Sequence, residues 1–121
     1  MRLLVRDPGR VAEGIADRVE MYLGDVGLPE TLGPAFRGVD VVIHLVGIIR
    51  ETADSKFESM HTEATRHVIA AARAAGARRL LHMSALGSRP GAASRYHRTK
   101  WEAEQLVRES GLDWTIFRPS I

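Results

Sequence analysis

The sequence contains no cysteine, which excludes disulfides, thiolate metal centres and cysteine nucleophiles and fits a reducing compartment. It also lacks an apolar run long enough for a membrane-spanning helix. The longest, Val39 to Ile49, is interrupted by Asp40 and His44 and falls well short of the roughly 20 residues required; it reads as a buried strand. The opening Met1-Arg2-Leu3-Leu4-Val5-Arg6-Asp7-Pro8 has neither the extended apolar region nor the small-residue cleavage site of a secretory leader. That points to a cytoplasmic location, or a membrane-peripheral one through a larger complex. A net charge of only +2, with arginines scattered rather than interleaved with aromatics, gives no footing for a nucleic-acid partner. No repeat, low-complexity tract or linker interrupts the 121 residues. What remains, 45% hydrophobic and 26% charged, is the balance of one soluble globular domain with one core.

Five apolar runs alternate with helix-like segments: Arg2–Val5, Val19–Leu23, Val39–Val46, Arg79–Met83 and Trp114–Phe117. Several are continuous rather than alternating, as parallel strands covered on both faces require, so the pattern predicts an α/β layered sheet. Ser55-Lys56-Phe57-Glu58 matches a capping box, opening a helix that stops at Gly76 and carries Phe57, Met60, Ala64, Val68, Ala71 and Ala75 on one stripe. A second helix is expected from about Ser94 to Ser110, ending at Gly111, with Glu104 and Arg108 as a favourable i,i+4 pair. Shorter helical turns are expected at Val11–Asp17 and Pro29–Phe36.

Within the second helix, Tyr96 and Lys100 stand one turn apart, a dozen residues after the strand that ends near Ser84. Positions i and i+4 share a face, so an ammonium beside a phenol can stabilise its phenolate. Such a tyrosine can pass a proton to or from an alcohol or carbonyl while hydride moves to or from a nicotinamide. Two surface residues on an amphipathic helix would show the same spacing. His44 and His82 fall at similar points of neighbouring strands, but two histidines without a third ligand read as hydrogen-bonded core residues rather than a metal site.

The order of the pieces resembles the short-chain dehydrogenase/reductase superfamily. Within it, the chain is similar to the atypical extended, epimerase/dehydratase-like members, including the nucleotide-binding accessory subunit of respiratory complex I. The resemblance is carried by Leu4-Val5-Arg6-Asp7-Pro8, Gly24-Asp25-Val26, Gly38 to Gly47, His82-Met83-Ser84-Ala85-Leu86-Gly87, the Tyr96/Lys100 pair with Trp101-Glu102-Ala103-Glu104, and Thr115-Ile116-Phe117-Arg118-Pro119-Ser120. It implies a Rossmann-type, doubly wound parallel sheet over residues 1–121. Relatives open with a strand and a glycine-rich turn that grips the cofactor pyrophosphate, and no Gly-x-Gly-x-x-Gly occurs here. The chain is therefore expected to be an interior part of a dinucleotide-binding domain, lacking the first βα unit and the substrate lobe and binding dinucleotide weakly by itself. The slot between the second and fourth strands of that sheet is expected to close by direct pairing.

The resemblance also implies roles. Arg6 would clamp the 2′-phosphate of NADP, although the adjacent Asp7 could instead hydrogen-bond a ribose as in NAD binders. Asp25 would receive the adenine amino group with Val26 against the ring, or simply cap a turn. Leu45, Val46 and Gly47 would line the cofactor crevice, and Pro119 and Ser120 would neighbour the nicotinamide. Tyr96 would act as general acid/base, with Lys100 lowering its pKa and holding the ribose. Ser84 would orient the substrate carbonyl or, followed as it is by Ala85, only line the cofactor site. His61 stands where many active relatives have an asparagine. Two functions follow: an NADP-dependent oxidoreductase or epimerase-type enzyme, or a non-catalytic dinucleotide-binding subunit of a protein complex.

Overall fold

The computed structural model describes residues 1–120. Each apolar run becomes a strand: β1 (Arg2–Val5), β2 (Glu20–Leu23), β3 (Val41–His44), β4 (Arg79–Met83) and β5 (Asp113–Phe117). The connecting helices are α1 (Glu13–Ala16), α2 (Gly33–Phe36), α3 (Ala64–Ala74) and α4 (Arg95–Arg108), with 3₁₀ turns at Pro8–Arg10 and Pro29–Thr31. Gly38, Gly76 and Gly111 precede β3, β4 and β5 with φ of +74°, +75° and +76°, a left-handed step that lets the chain leave a helix and turn into a strand.

All strand pairs are parallel. β1 pairs with β2, and β3, β4 and β5 form a second ladder in that order, with His44 opposite His82 and His82 opposite Ile116. The expected direct pairing of β1 with β3 does not form. The β1–β2 pair is held by side chains instead. Leu4 and Tyr22 pack against the common core, and the Arg2 guanidinium donates to the carbonyls of Ala35 and Arg37 at the end of α2. These ties fix β1 without a backbone ladder to β3.

The core joins Val26, Leu32 and Phe36 to Val68, Ile69 and Ala72 of α3, Leu80 of β4 and Val107 of α4, so α2, α3 and α4 cover one face of the strands. Residues one step out of phase on the strands, among them Leu23, Val41, Ile43 and Phe117, are exposed, as alternation along a strand requires.

The long helical segment departs from expectation at its start. Residues Glu58–Glu63 form a π-helical turn before α3, and no capping box forms: the amide of Phe57 donates to Glu51 Oε1 at 3.1 Å, while Glu58 pairs with Arg95. The wider turn shifts the helical phase. The inward residues become His61, Ala64, Thr65, Val68, Ile69 and Ala72, and His61, not Met60, faces the interior.

Leu80 is fully buried and Ile43 is 56% exposed, so truncation should separate the two faces. Leu80→Ala is expected to lower unfolding free energy by about 3 kcal/mol, and Ile43→Ala in this chain by well under about 1 kcal/mol, both read from urea midpoints.

Candidate functional site

The carboxyl ends of β3, β4 and β5 and the first turns of α4 converge. α4 starts where Ser94 caps it, its hydroxyl accepting from the His97 amide at 3.2 Å. That start places Tyr96 half-buried and Lys100 buried, 5% exposed. The Lys100 ammonium donates to the carbonyl of Met83, the last residue of β4, at 2.6 Å. Beside it runs the backbone of Gly47: a Cβ there would lie 3.6 Å from Lys100 Nζ and 3.6 Å from His61 Nε2. Burial brings the Lys100 pKa down to about 8, with the Glu104 charge pulling it partly back.

Tyr96 packs edge-on to His61 and Phe57, with ring centroids 5.3 and 5.8 Å apart. Burial raises its phenol pKa above the ordinary value. The expected lowering by Lys100 is not realised here, because the ammonium is turned to the Met83 carbonyl.

Ser84 departs from its expected role. Its hydroxyl donates to Glu104 Oε1 at 2.5 Å and lies 3.2 Å from Ser88 Oγ, so it joins a buried hub rather than facing Tyr96. Glu104, fully buried, also receives Arg118 through Nε at 2.9 Å and Nη2 at 2.6 Å, and Arg108 at 2.9 Å. Burial works to raise its pKa, but the bonds from Arg118, Ser84 and Arg108 prevail and hold it below the usual value. Both guanidiniums stack on indoles, Arg108 over Trp101 and Trp114 at 5.3 and 5.5 Å and Arg118 over Trp101 at 5.8 Å. Sequence spacing showed only the Glu104/Arg108 pair; the reach of Ser84 and Arg118 depends on strand register.

Three imidazoles sit under this platform. His61 Nδ1 meets Thr99 Oγ1 at 2.9 Å, and its Nε2 lies 2.9 Å from the Ile48 carbonyl and 3.2 Å from its amide. His44 Nε2 is 3.0 Å from Thr65 Oγ1. The Thr65 hydroxyl spends its proton on the His61 carbonyl at 2.6 Å, so His44 donates to it. His82 is buried with neither ring nitrogen bonded, its centroid 5.4 Å from that of His44. Burial, reinforced by the Lys100 charge, lowers the pKa of His44 to about 3 and those of His61 and His82 to about 4. Among the described residues no third ligand joins the His44/His82 pair.

At the tip of β1, the exposed Arg6 and Arg10 border a cleft of about 230 Å³ together with Val5, Asp7 and Val11. Asp7 Oδ1 accepts from the Gly9 amide at 3.0 Å and caps the turn that carries Arg10. Asp25 stands at the tip of β2 in a comparable turn, accepting from Gly27 at 2.8 Å. Val26, expected against an adenine ring, is packed in the core. Leu45, Val46 and Gly47 are exposed at the tip of β3, and Pro119 and Ser120 after β5; the Pro119 carbonyl accepts from Leu86 at 3.0 Å. Arg10, which spacing alone did not single out, joins the candidate residues through the 3₁₀ turn.

Comparison with known proteins gives this geometry a context. The NAD(P)H-binding family model matches residues 1–121. The chain is 36% identical over 101 residues to the ceramide reductase of Caulobacter vibrioides, covering 84% of this chain and 32% of that protein. It is 28% identical over 107 residues to the mitochondrial NADH-ubiquinone oxidoreductase 40 kDa subunit of Neurospora crassa, covering 88% and 28%. Among solved structures, a short-chain dehydrogenase/reductase superfamily protein from Agrobacterium tumefaciens with bound NAD superposes with a TM-score of 0.77 at 25% identity, covering 97% of this chain and 40% of that one. The chain thus spans about a third of the length of these curated relatives. No helix among the described residues is long and apolar enough to cross a membrane.

The buried imidazoles and Glu104 make acid sensitivity an expected property. His44, His61 and His82 are held below 6.5, so their contribution is complete above that pH and is lost as pH falls from 6.5 toward about 4 for His61 and His82 and about 3 for His44. Glu104, held below 4.5, extends the loss at lower pH. Urea titrations across this range should show unfolding free energy falling with pH. Glu104→Gln should cost roughly 3 kcal/mol at neutral pH and flatten the acid limb below 4.5.

Proposed function

The chain belongs to the NAD(P)H-binding family, among the atypical extended members of the short-chain dehydrogenase/reductase superfamily, and from that premise we propose that it forms the cofactor-holding part of an NADP(H)-dependent oxidoreductase or epimerase-type enzyme acting on a carbonyl or alcohol. The meeting of Lys100 Nζ with the bare backbone of Gly47 at the strand tips, with Tyr96 one turn earlier on α4 against the ring of His61, carries this reading.

The donor set suits a dinucleotide. Two guanidiniums share the β1-tip cleft, a carboxylate stands at the tip of β2, and an ammonium with two N–H bonds to spare after Met83 lies beside a glycine. Arg6 and Arg10 would take a 2′-phosphate as charge-assisted hydrogen bonds. Two guanidiniums outweigh the single Asp7 carboxylate, whose Oδ1 also accepts from Gly9, which favours NADP over NAD. Asp25 would serve the adenine, Leu45, Val46 and Gly47 the middle of the cofactor, and Pro119 and Ser120 the nicotinamide end.

When bound, the nicotinamide supplies or accepts hydride; the proton is the chain's task. A phenol held above its usual pKa is protonated at neutral pH and suited to donate to a forming alkoxide. Lys100, with a pKa of about 8 and anchored at Met83, would orient the ribose.

A second reading, a dinucleotide-binding subunit without turnover, is favoured by one observation: the Ser84 hydroxyl is spent on Glu104, leaving no hydroxyl on Ala85 to orient a substrate carbonyl. The similarity to the 40 kDa oxidoreductase subunit agrees with it and suggests a protein-complex partner.

Two measurements on the intact protein test the proposal. Arg6→Ala and Arg10→Ala should each weaken NADPH binding by about 10- to 100-fold, the worth of one hydrogen bond to a charged group, with NADH binding unchanged, read by calorimetry. Tyr96→Phe should lower NADPH-dependent carbonyl reduction by about 100-fold or more while NADPH binding stays within a few-fold. Tight NADPH binding with no turnover on any carbonyl would select the second reading.

A further inference from the structure

We propose that His97 holds the substrate carbonyl, its Nε2–H supplying the hydrogen bond that Ala85 cannot. The inference rests on the oxidoreductase reading above and names the side chain that orients the substrate at that site.

The end of β4 offers a carbonyl oxygen no hydroxyl. Ser84 is committed to Glu104 at 2.5 Å, and Ala85 brings no donor. An imidazole stands nearby instead. His97 is half-buried in the first turn of α4, and its ring lies edge-on to that of Tyr96, with centroids 5.0 Å apart and planes at 88°. Its other neighbour is Gly87, in the loop that leaves β4. A Cβ on Gly87 would lie 3.3 Å from His97 Nε2, so the absence of a side chain there lets the ring close on the backbone. The same loop is tied to the segment after β5: the Leu86 amide donates at 3.0 Å to the carbonyl of Pro119, the residue assigned above to the nicotinamide end.

Ser94 fixes which ring nitrogen carries the proton. Its oxygen accepts from the His97 amide at 3.2 Å and lies 2.7 Å from Nδ1, and its own proton has no other acceptor among the described residues. The hydroxyl therefore donates to Nδ1, which leaves the ring hydrogen on Nε2. Among the described residues Nε2 has no partner, and it is not sealed from solvent. It is a free donor on a ring that touches both the phenol and the loop after β4.

Two donors on one oxygen have different tasks. As hydride reaches the carbonyl carbon, the oxygen takes the π-electron pair and then the Tyr96 proton. The His97 proton stays on Nε2, so the ring holds the oxygen and exchanges nothing. Its hydrogen bond strengthens as negative charge develops, and it therefore lowers the barrier more than it tightens substrate binding.

The test uses the intact protein. ¹⁵N spectra of the histidine rings at mildly alkaline pH should show His97 bare at Nδ1 and protonated at Nε2; the reverse tautomer would overturn the proposal whatever the turnover. NADPH-dependent reduction of 4-nitrobenzaldehyde and of cyclohexanone is then compared in His97→Phe, which keeps a ring over Gly87 without the donor, and in His97→Gln, which returns an N–H. His97→Phe should lower kcat by about 100-fold, the worth of one donor to a developing oxyanion, with KM and NADPH affinity little changed and partial recovery in His97→Gln. His97→Ala secures the comparison should phenylalanine fail to fold. An unchanged kcat in His97→Phe and His97→Ala would overturn the contact and leave the oxidoreductase reading standing. A loss that glutamine does not relieve, accompanied by weakened NADPH binding, would make His97 structural and overturn it equally. A wild type that binds NADPH and reduces neither probe removes the oxidoreductase reading, and the role of His97 with it.

Discussion

A carboxylate removed from water persists as an ion only where donors converge on it, and Glu104 has three: the Ser84 hydroxyl at the end of β4, Arg108 one turn further along its own helix, and Arg118 just past β5. Because these come from three different elements, satisfying one buried charge also fixes how α4 lies across the ends of β4 and β5. The desolvation cost is large enough that a partly satisfied version would be less favourable than an apolar replacement. The arrangement is therefore close to all-or-none. Tyr96 and Lys100 ride on that helix, so their place at the strand tips follows from a charge one and two turns away.

The second constraint is the concentration of ionisable groups beneath the tips. His44, His61, His82 and Lys100 are all buried: burial, with the Lys100 charge adding to it, keeps the imidazoles neutral, while the Glu104 charge offsets part of the lowering that burial imposes on Lys100. Thr65 accepts from the His44 ring N–H because its own proton goes to the His61 carbonyl, and Thr99 bonds the His61 ring at Nδ1. A polar layer of this kind specifies one arrangement of side chains where an apolar layer would tolerate several.

What could be read from residue order and what could not divides along physical lines. The strands, the helix-ending glycines Gly76 and Gly111 and the start of α4 near Ser94 are local properties, encoded by periodicity and by single residues with distinctive backbone preferences, and they appear within a residue or two of expectation. The parallel α/β character, the family and the Tyr96/Lys100 pairing on one helix were equally accessible. The π-helical turn was not, because Ser55-Lys56-Phe57-Glu58 satisfies a local capping pattern while Glu51 and Arg95, distant in sequence, compete for the same groups and prevail. The Ser84–Glu104 bond and the burial of Val26 were out of reach for a related reason. Whether a side chain at a strand tip faces the crevice, a buried partner or the core depends on register and on what packs behind it. The separation of β1 from β3 is a global outcome that no short stretch of sequence contains.

The stacked pairs of Arg108 and Arg118 with Trp101 and Trp114 have a practical consequence. The chain has only two tryptophans, and both sit where α4 docks on β5, each over a guanidinium whose other partner is Glu104. Indole emission responds to nearby charge and to water, so the intrinsic ultraviolet fluorescence of the molecule is a built-in optical gauge of that joint, reporting loosening of the helix without any label.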